Sequence, residues 1–198
     1  VQPGWVEHDP HEILRKTLAC AHAMIERAGG ADRIAAIGIT NQRETVVAWD
    51  KTSGKAIGRA IVWQDRRTAD FCNALRAAGH ETEVQRRTGL LLDPYFSASK
   101  MRWIIENVPA ARELGHRLAF GTIESWLVWH LAGGAHVSDV TNASRTSLFA
   151  LGGSGWDEGL CDLFGVPPAA LPEPVACTGP IARTDPALFA LSYDYVGD

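Results

Sequence analysis

Ile34-Ala35-Ala36-Ile37-Gly38-Ile39 is the run on which the fold reading turns. It is short, apolar and without alternation, which predicts a strand buried on both faces. The residues before it form a helix pattern with both ends marked. Asp9 can cap it, Pro10 suits the first helical position, and Glu12 completes a capping box. Leu14, Leu18, Ala21, Ile25 and Ala28 recur at helical spacing, and Gly29-Gly30 ends the pattern. A capped helix feeding a buried strand predicts an α/β layered fold.

Downstream, Asn41-Gln42-Arg43-Glu44 is a polar break between predicted strands. Residues 45–49 read as a strand, residues 50–54 as a turn and residues 57–63 as a returning strand. Residues 67–78, 81–87, 124–131 and 156–164 read as helices. Ser97 or Ser99 is expected to cap a further helix built on Met101, Ile104 and Ile105. Gly133-Gly134 and Gly165-Val166-Pro167-Pro168 serve as stops, and the last thirty residues carry little regular pattern.

Bulk properties narrow the function. The chain has 198 residues, 46% hydrophobic and 21% charged, enough for a sizeable core. With a net charge of -4 and no basic run, nucleic acid is not an expected partner. No apolar run approaches the roughly 18 residues of a membrane helix, and the opening Val1-Gln2-Pro3-Gly4-Trp5 has no signal-peptide pattern. Cys20, Cys72, Cys161 and Cys177 are scattered, with no C-x-x-C pair, so reduced thiols in a cytoplasmic protein are expected. The non-Met start within a Pro-Gly segment reads equally as a chain entering after its true beginning or as a processed end.

Several familiar motifs fail. There is no G-x-x-x-x-G-K-[ST] loop and no G-x-G-x-x-G after a strand. Gly152-Gly153-Ser154-Gly155 reads as a plain turn. His11-Glu12 and His80-Glu81 lack the second His of a zinc protease helix. Ser97-Ala98-Ser99-Lys100 matches the S-x-x-K of serine penicillin-binding enzymes, but its companion motifs are wrong. A helix cap followed by a surface lysine is the expected reading.

Three longer stretches carry more weight. They are Gly38-Ile39-Thr40-Asn41-Gln42-Arg43-Glu44-Thr45, Ile61-Val62-Trp63-Gln64-Asp65-Arg66-Arg67-Thr68 and Asp93-Pro94-Tyr95-Phe96-Ser97-Ala98-Ser99-Lys100-Met101-Arg102-Trp103. In this order they resemble the glycerol kinases of the FGGY carbohydrate-kinase family. The third, extended through Glu106-Asn107, matches the first FGGY signature. Gly121-Thr122-Ile123-Glu124-Ser125-Trp126-Leu127 and Thr141-Asn142-Ala143-Ser144-Arg145-Thr146 are also similar to this family. Glu124 stands where relatives usually have Asp. Arg43-Glu44 favours glycerol over a ketopentose.

The resemblance implies an incomplete actin-like (ribonuclease H-like) α/β kinase domain. Residues 1–198 would be part of the N-terminal, glycerol-binding domain, with the C-terminal nucleotide-binding domain outside the chain. It implies ATP-dependent phosphorylation of glycerol with Mg²⁺ by a homo-oligomeric whole protein, the alternatives being an FGGY kinase for another polyol or sugar, or a non-catalytic binding module derived from one. It assigns Arg43, Glu44 and Tyr95 to the glycerol hydroxyls and Trp63 to the pocket wall. The chemistry agrees. A site for glycerol must replace water around three hydroxyls with fixed donors and acceptors. Arg43 offers donors, Glu44 acceptors and Tyr95 both, while Trp63 offers an apolar face. Taken alone, Arg43-Glu44 reads as an exposed ion pair, Tyr95 as a turn aromatic and Trp63 as core. Arg66 and Arg67 pair with carboxylates or join a subunit contact, and residues 142–146 read equally as a structural turn. The family's Gly-Thr-Thr phosphate loop would precede this chain. Its general base lies in a Gly-Asp-Gln-Gln motif. Asp198 is a candidate for it, but no Gln-Gln follows and residues 190–195 do not resemble the family there, so the base is expected outside the chain and the catalytic residue is unassigned. The fructose bisphosphate loop of some bacterial relatives is not visible.

Overall fold

A computed structural model describes residues 2–189 and the backbone of Asp194–Val196. Asp198 lies outside the described residues. In chain order the elements are β1 (Glu7–His8), α1 (Pro10–Ala28), β2 (Ala36–Gly38), β3 (Val47–Asp50), β4 (Ala60–Ile61), α2 (Ala69–Ala77), α3 (Glu81–Thr88), α4 (Ser97–Asn107), α5 (Pro109–Leu114), β5 (Leu118–Gly121), α6 (Ile123–Leu131), β6 (Val137–Asp139), α7 (Val140–Ala143), α8 (Glu158–Phe164), β7 (Glu173–Val175), β8 (Ala182–Arg183), α9 (Pro186–Phe189) and β9 (Asp194–Val196). Strand β2 pairs parallel with β9, which pairs antiparallel with β8. Strands β3 and β5 pair antiparallel with Val47 opposite Gly121, β1 pairs antiparallel with β4, and β6 runs parallel to β7.

The β3–β5 ribbon separates two cores, because side chains alternate across a strand. Ala48, Leu118 and Phe120 face one side with Met101, Ile104, Leu160 and Phe164 from α4 and α8. Val47, Trp49 and Ala119 face the other with Trp126 and Leu127 from α6, and Leu14 and Leu18 of α1 pack against them. The strand buried on both faces is therefore this ribbon and not residues 34–39. Strand β2 leaves Ala36 and Gly38 exposed, since no described layer covers the face they present.

Gly121 lets the second core close. A Cβ there would meet Ser125 Cβ at 2.5 Å and Trp49 Cη2 at 2.9 Å. Trp49 stacks edge-on against Trp126 and against His136, whose Nε2 donates to the Phe120 carbonyl at 2.8 Å. Burial holds the His136 imidazole neutral, pushing its pKa down to about 4.

Helix α1 begins and ends where its sequence directs. The Asp9 carboxylate accepts from the His11 and Glu12 amides, and Gly29 closes the helix with φ 89°. Glu12 does not complete the capping box; it pairs with Lys16 at 2.9 Å. Helix α4 departs further from expectation. Its N-cap is Phe96, with no side-chain cap. Ser97 Oγ donates to the Glu44 carbonyl at 3.2 Å, and Ser99 Oγ bonds Thr68 Oγ1 at 2.8 Å. Both serines thus fasten the helix to its neighbours.

Arg67 settles between its two expected roles. It is buried, pairs with Asp65 at 2.7 Å and Glu7 at 2.8 Å, and lies 3.6 Å over the Trp5 ring. It anchors the first residues of the chain to α4 through Trp103 as well. Arg66 makes an exposed pair with Asp93 at 2.9 Å.

Candidate functional site

The polar break at residues 41–44 connects β2 to β3 and is held from several sides. Asn41 Nδ2 donates to Asn142 Oδ1 at 3.0 Å. Gln42 Nε2 donates to Thr45 Oγ1 at 2.7 Å, and the same oxygen accepts from the Trp63 amide at 3.3 Å. Asn142 is in turn fixed by Asp139, whose oxygens accept from the Asn142 side chain at 2.9 Å and from Thr141 N at 2.7 Å. Burial alone would raise the Asp139 pKa; the bonds from Thr141 and Asn142 outweigh it and hold the carboxylate below its ordinary range.

At the end of this loop Glu44 sits at φ 63°, a left-handed conformation unusual for a residue with a side chain. Its carboxylate meets Arg145 Nε through Oε1 at 2.6 Å, with the Glu44 side chain only 4% exposed. The partner of Glu44 is thus Arg145, 101 positions away, and not its neighbour Arg43. The Arg43 side chain is exposed, with no partner among the described residues.

An aromatic wall stands beside the pair. The Trp63 and Tyr95 ring centroids are 5.3 Å apart, and Tyr95 meets Phe96 edge-on at 5.2 Å. The Arg145 guanidinium lies 5.0 Å over Phe96 and 6.0 Å over Tyr95. Trp63 and Tyr95 are half-buried, and neither the indole N–H nor the phenol has a partner among the described residues. Of the four expected site residues, Glu44, Tyr95 and Trp63 are therefore linked through Arg145 and ring contacts, and Arg43 adjoins them in the chain.

The turn that presents Tyr95 is pinned from both ends. The Tyr95 amide donates to Asp93 Oδ1 at 2.8 Å. Lys100, expected at the surface, is fully buried. Its ammonium donates to the carbonyls of Pro94 at 2.7 Å, Tyr95 at 2.6 Å and Phe96 at 2.9 Å. Burial pushes its pKa down to about 7. Engaged in this way, Lys100 activates no serine, and the S-x-x-K match is structural. Sequence reading passed over both Lys100 and Arg145. Each lay inside a quoted motif, yet the spacing of each agrees equally with a solvated face or a turn.

The described residues bring the site carboxyl, guanidinium and ring groups to one partly open face. A separate cavity of about 160 Å³, lined by Ile57, Ile61, Trp103 and Ile104, shares none of them. Among the described residues no cluster of His, Cys, Asp and Glu is arranged to hold a metal ion. No helix among them is long and apolar enough to cross a membrane. The cysteines are free.

Residues 1–192 match the N-terminal domain of the FGGY family of carbohydrate kinases. The chain is 52% identical to a glycerol kinase of Cereibacter sphaeroides over 99% of its length, covering 40% of that protein. It is 55% identical to a glycerol kinase of Gluconobacter oxydans over 94% of its length, covering 37% of that protein. Among solved structures, Plasmodium falciparum glycerol kinase with ADP superimposes with a TM-score of 0.91 at 34% identity, covering all of this chain and 41% of that one. A xylulose kinase from Rhodospirillum rubrum, 23% identical over 99% of this chain and 41% of its own, shares the fold with a TM-score of 0.86. The chain spans about two-fifths of the length of the curated relatives it matches.

Proposed function

From the premise that the chain belongs to the FGGY family of carbohydrate kinases, with its mixed α/β, actin-like fold, we propose that it forms the glycerol-binding part of an ATP-dependent glycerol kinase. The observation that carries the reading is the convergence of Glu44, Arg145, Tyr95 and Trp63 on one face. Similarity to glycerol kinases at 50% identity or above supports glycerol over a longer sugar.

The chemistry assigned to each residue follows from its state. Glu44 uses one oxygen on Arg145, and its Oε2 takes no other bond among the described residues, which leaves an acceptor for a substrate hydroxyl. The free Arg43 guanidinium offers donors, and the Tyr95 phenol offers one donor and one acceptor. Trp63 lays an apolar face along the carbon chain. Held there, glycerol loses its freedom to tumble before the phosphoryl group arrives, which is the positioning share of catalysis in phosphoryl transfer.

ATP and Mg²⁺ are required by the proposed reaction. Among the described residues no cluster of His, Cys, Asp and Glu is arranged to hold a metal ion, and the family's Gly-Thr-Thr phosphate loop is not in this sequence. Residues 1–198 are the substrate half in this reading, and the nucleotide belongs to the length that the relatives have beyond it. Soluble substrates and free thiols fit a cytoplasmic enzyme. The test is a substrate panel on the enzyme at the length of its relatives, with glycerol, erythritol, xylitol and xylulose. Glycerol should give the highest kcat/KM; preference for xylulose would sink the reading.

A further inference from the structure

We propose that Arg145 is a positioning residue of the glycerol site, holding Glu44 by Oε1 so that Oε2 is presented to a substrate hydroxyl. This rests on the reading above. Glu44 is not free to choose its own direction. Its backbone is fixed in the left-handed region, and its carbonyl is held by Ser97 Oγ. What remains is the side-chain torsion, and the single bond from Arg145 Nε sets it.

Arg145 is itself immobilised. It follows Asn142, which is tied to Asp139 and Asn41, and its guanidinium rests over Phe96. Only Nε is bonded; the two Nη groups have no partner among the described residues, and the side chain is 30% exposed. These Nη donors open beside the Tyr95 ring, where a polyol would lie. The geometry also separates this role from simple charge pairing. A surface pair has two mobile partners, whereas here a buried carboxylate meets a stacked guanidinium.

The experiment uses the kinase at the length of its relatives, with Arg145→Ala and Arg145→Lys. Arg145→Ala should raise the KM for glycerol roughly tenfold to a hundredfold, the lower part of what breaking a buried charge pair produces because Arg145 is partly exposed. The KM for ATP should stay within about twofold, since the guanidinium touches only the polyol side. Arg145→Lys should fall near the Ala variant, because an ammonium cannot reproduce the Nε contact and the stack together. Guanidinium at millimolar, non-denaturing concentration should restore glycerol use in Arg145→Ala, and methylammonium should not. An unchanged glycerol KM overturns the inference. So does a joint loss of kcat and both KM values without guanidinium rescue, or an Arg145→Ala protein that does not fold while Arg145→Lys is fully active. If the wild type phosphorylates a different polyol and Arg145→Ala raises that KM, the glycerol reading falls and the role of Arg145 stands. If the wild type phosphorylates no polyol, both fall.

Discussion

Glu44 combines a left-handed backbone, near-complete burial of its carboxylate and a cation supplied from 101 residues away. Such strain persists where the surroundings over-determine it, and sites that bind ligands are where it is found. Glu44→Gln keeps the shape and removes the charge. In the full enzyme it should lower kcat/KM for glycerol by roughly tenfold to a thousandfold, while stability read from the urea midpoint falls by about 1–3 kcal/mol, since Arg145 is partly exposed and stays hydrated. An unchanged kcat/KM would remove Glu44 from the site. Trp63 separates two roles by a ratio. If its indole lines the carbon chain, Trp63→Ala should lower glycerol use and also reduce discrimination against erythritol, because a pocket rejects longer ligands mainly by lacking room. A purely structural Trp63 would cost stability, less than the about 3–5 kcal/mol of a fully buried aromatic because it is half-buried, and would leave the ratio of activities alone. The quoted motifs made Glu44, Tyr95 and Trp63 legible in the sequence. They did not reveal which cation Glu44 meets, because proximity in the chain favoured Arg43 and only the fold brings Arg145 across.

At the scale of elements, local signals succeeded where one residue does one job. Asp9, Pro10 and Gly29 fix the ends of α1 through backbone bonds that need no distant partner. They failed where burial decides. Strand β5 is only four apolar residues long, and its partner β3 lies some seventy positions earlier. Gly121, the last residue of β5, is the point at which this ribbon admits Trp49. Gly121→Ala should destabilise the chain by about 1–3 kcal/mol through overpacking, read as a lower urea midpoint, while surface changes such as Gly133→Ala report only their own backbone strain. An unchanged midpoint would mean that Trp49 and Ser125 shift freely. Helix α4 carries a second test, in Lys100. Its pKa of about 7 lies below the ordinary 10.5, so between those values the unfolded chain binds a proton that the folded chain does not. Stability should therefore rise with pH across that window, and below it the full cost of burying the charge is present. Urea midpoints taken from about pH 6 to pH 9 should climb in the wild type, and that climb should vanish in Lys100→Met. Equal slopes in both proteins would mean that the three carbonyls keep the ammonium protonated throughout.

For the molecule as a whole, several motifs in register identified the family where no single pattern would have, and the 192 residues matched by the family domain bear that reading out. The division of labour is a separate matter. The described residues supply acceptors, donors and an aromatic wall, the groups proposed above to hold a small polyol. Phosphoryl transfer needs more, because the transferred group spreads charge over its oxygens and the stabilising groups must already be in place around it. Binding without those groups gives a pre-positioned hydroxyl and no electrophile beside it. The chain covers about 40% of the length over which its relatives work, and its sequence has no Gly-Thr-Thr phosphate loop of the kind the family resemblance implies. The purified 198-residue chain, given glycerol, ATP and Mg²⁺, should therefore form no glycerol 3-phosphate above the protein-free rate. Two measurements make the result informative. Circular dichroism must show the folded chain, so that inactivity is not unfolding. The enzyme at the length of its relatives must be active in the same assay, so that inactivity belongs to the segment. ATP-dependent product from the folded 198-residue chain alone would mean that phosphate contacts lie within these residues, and the assignment of this segment to the substrate half would have to be given up.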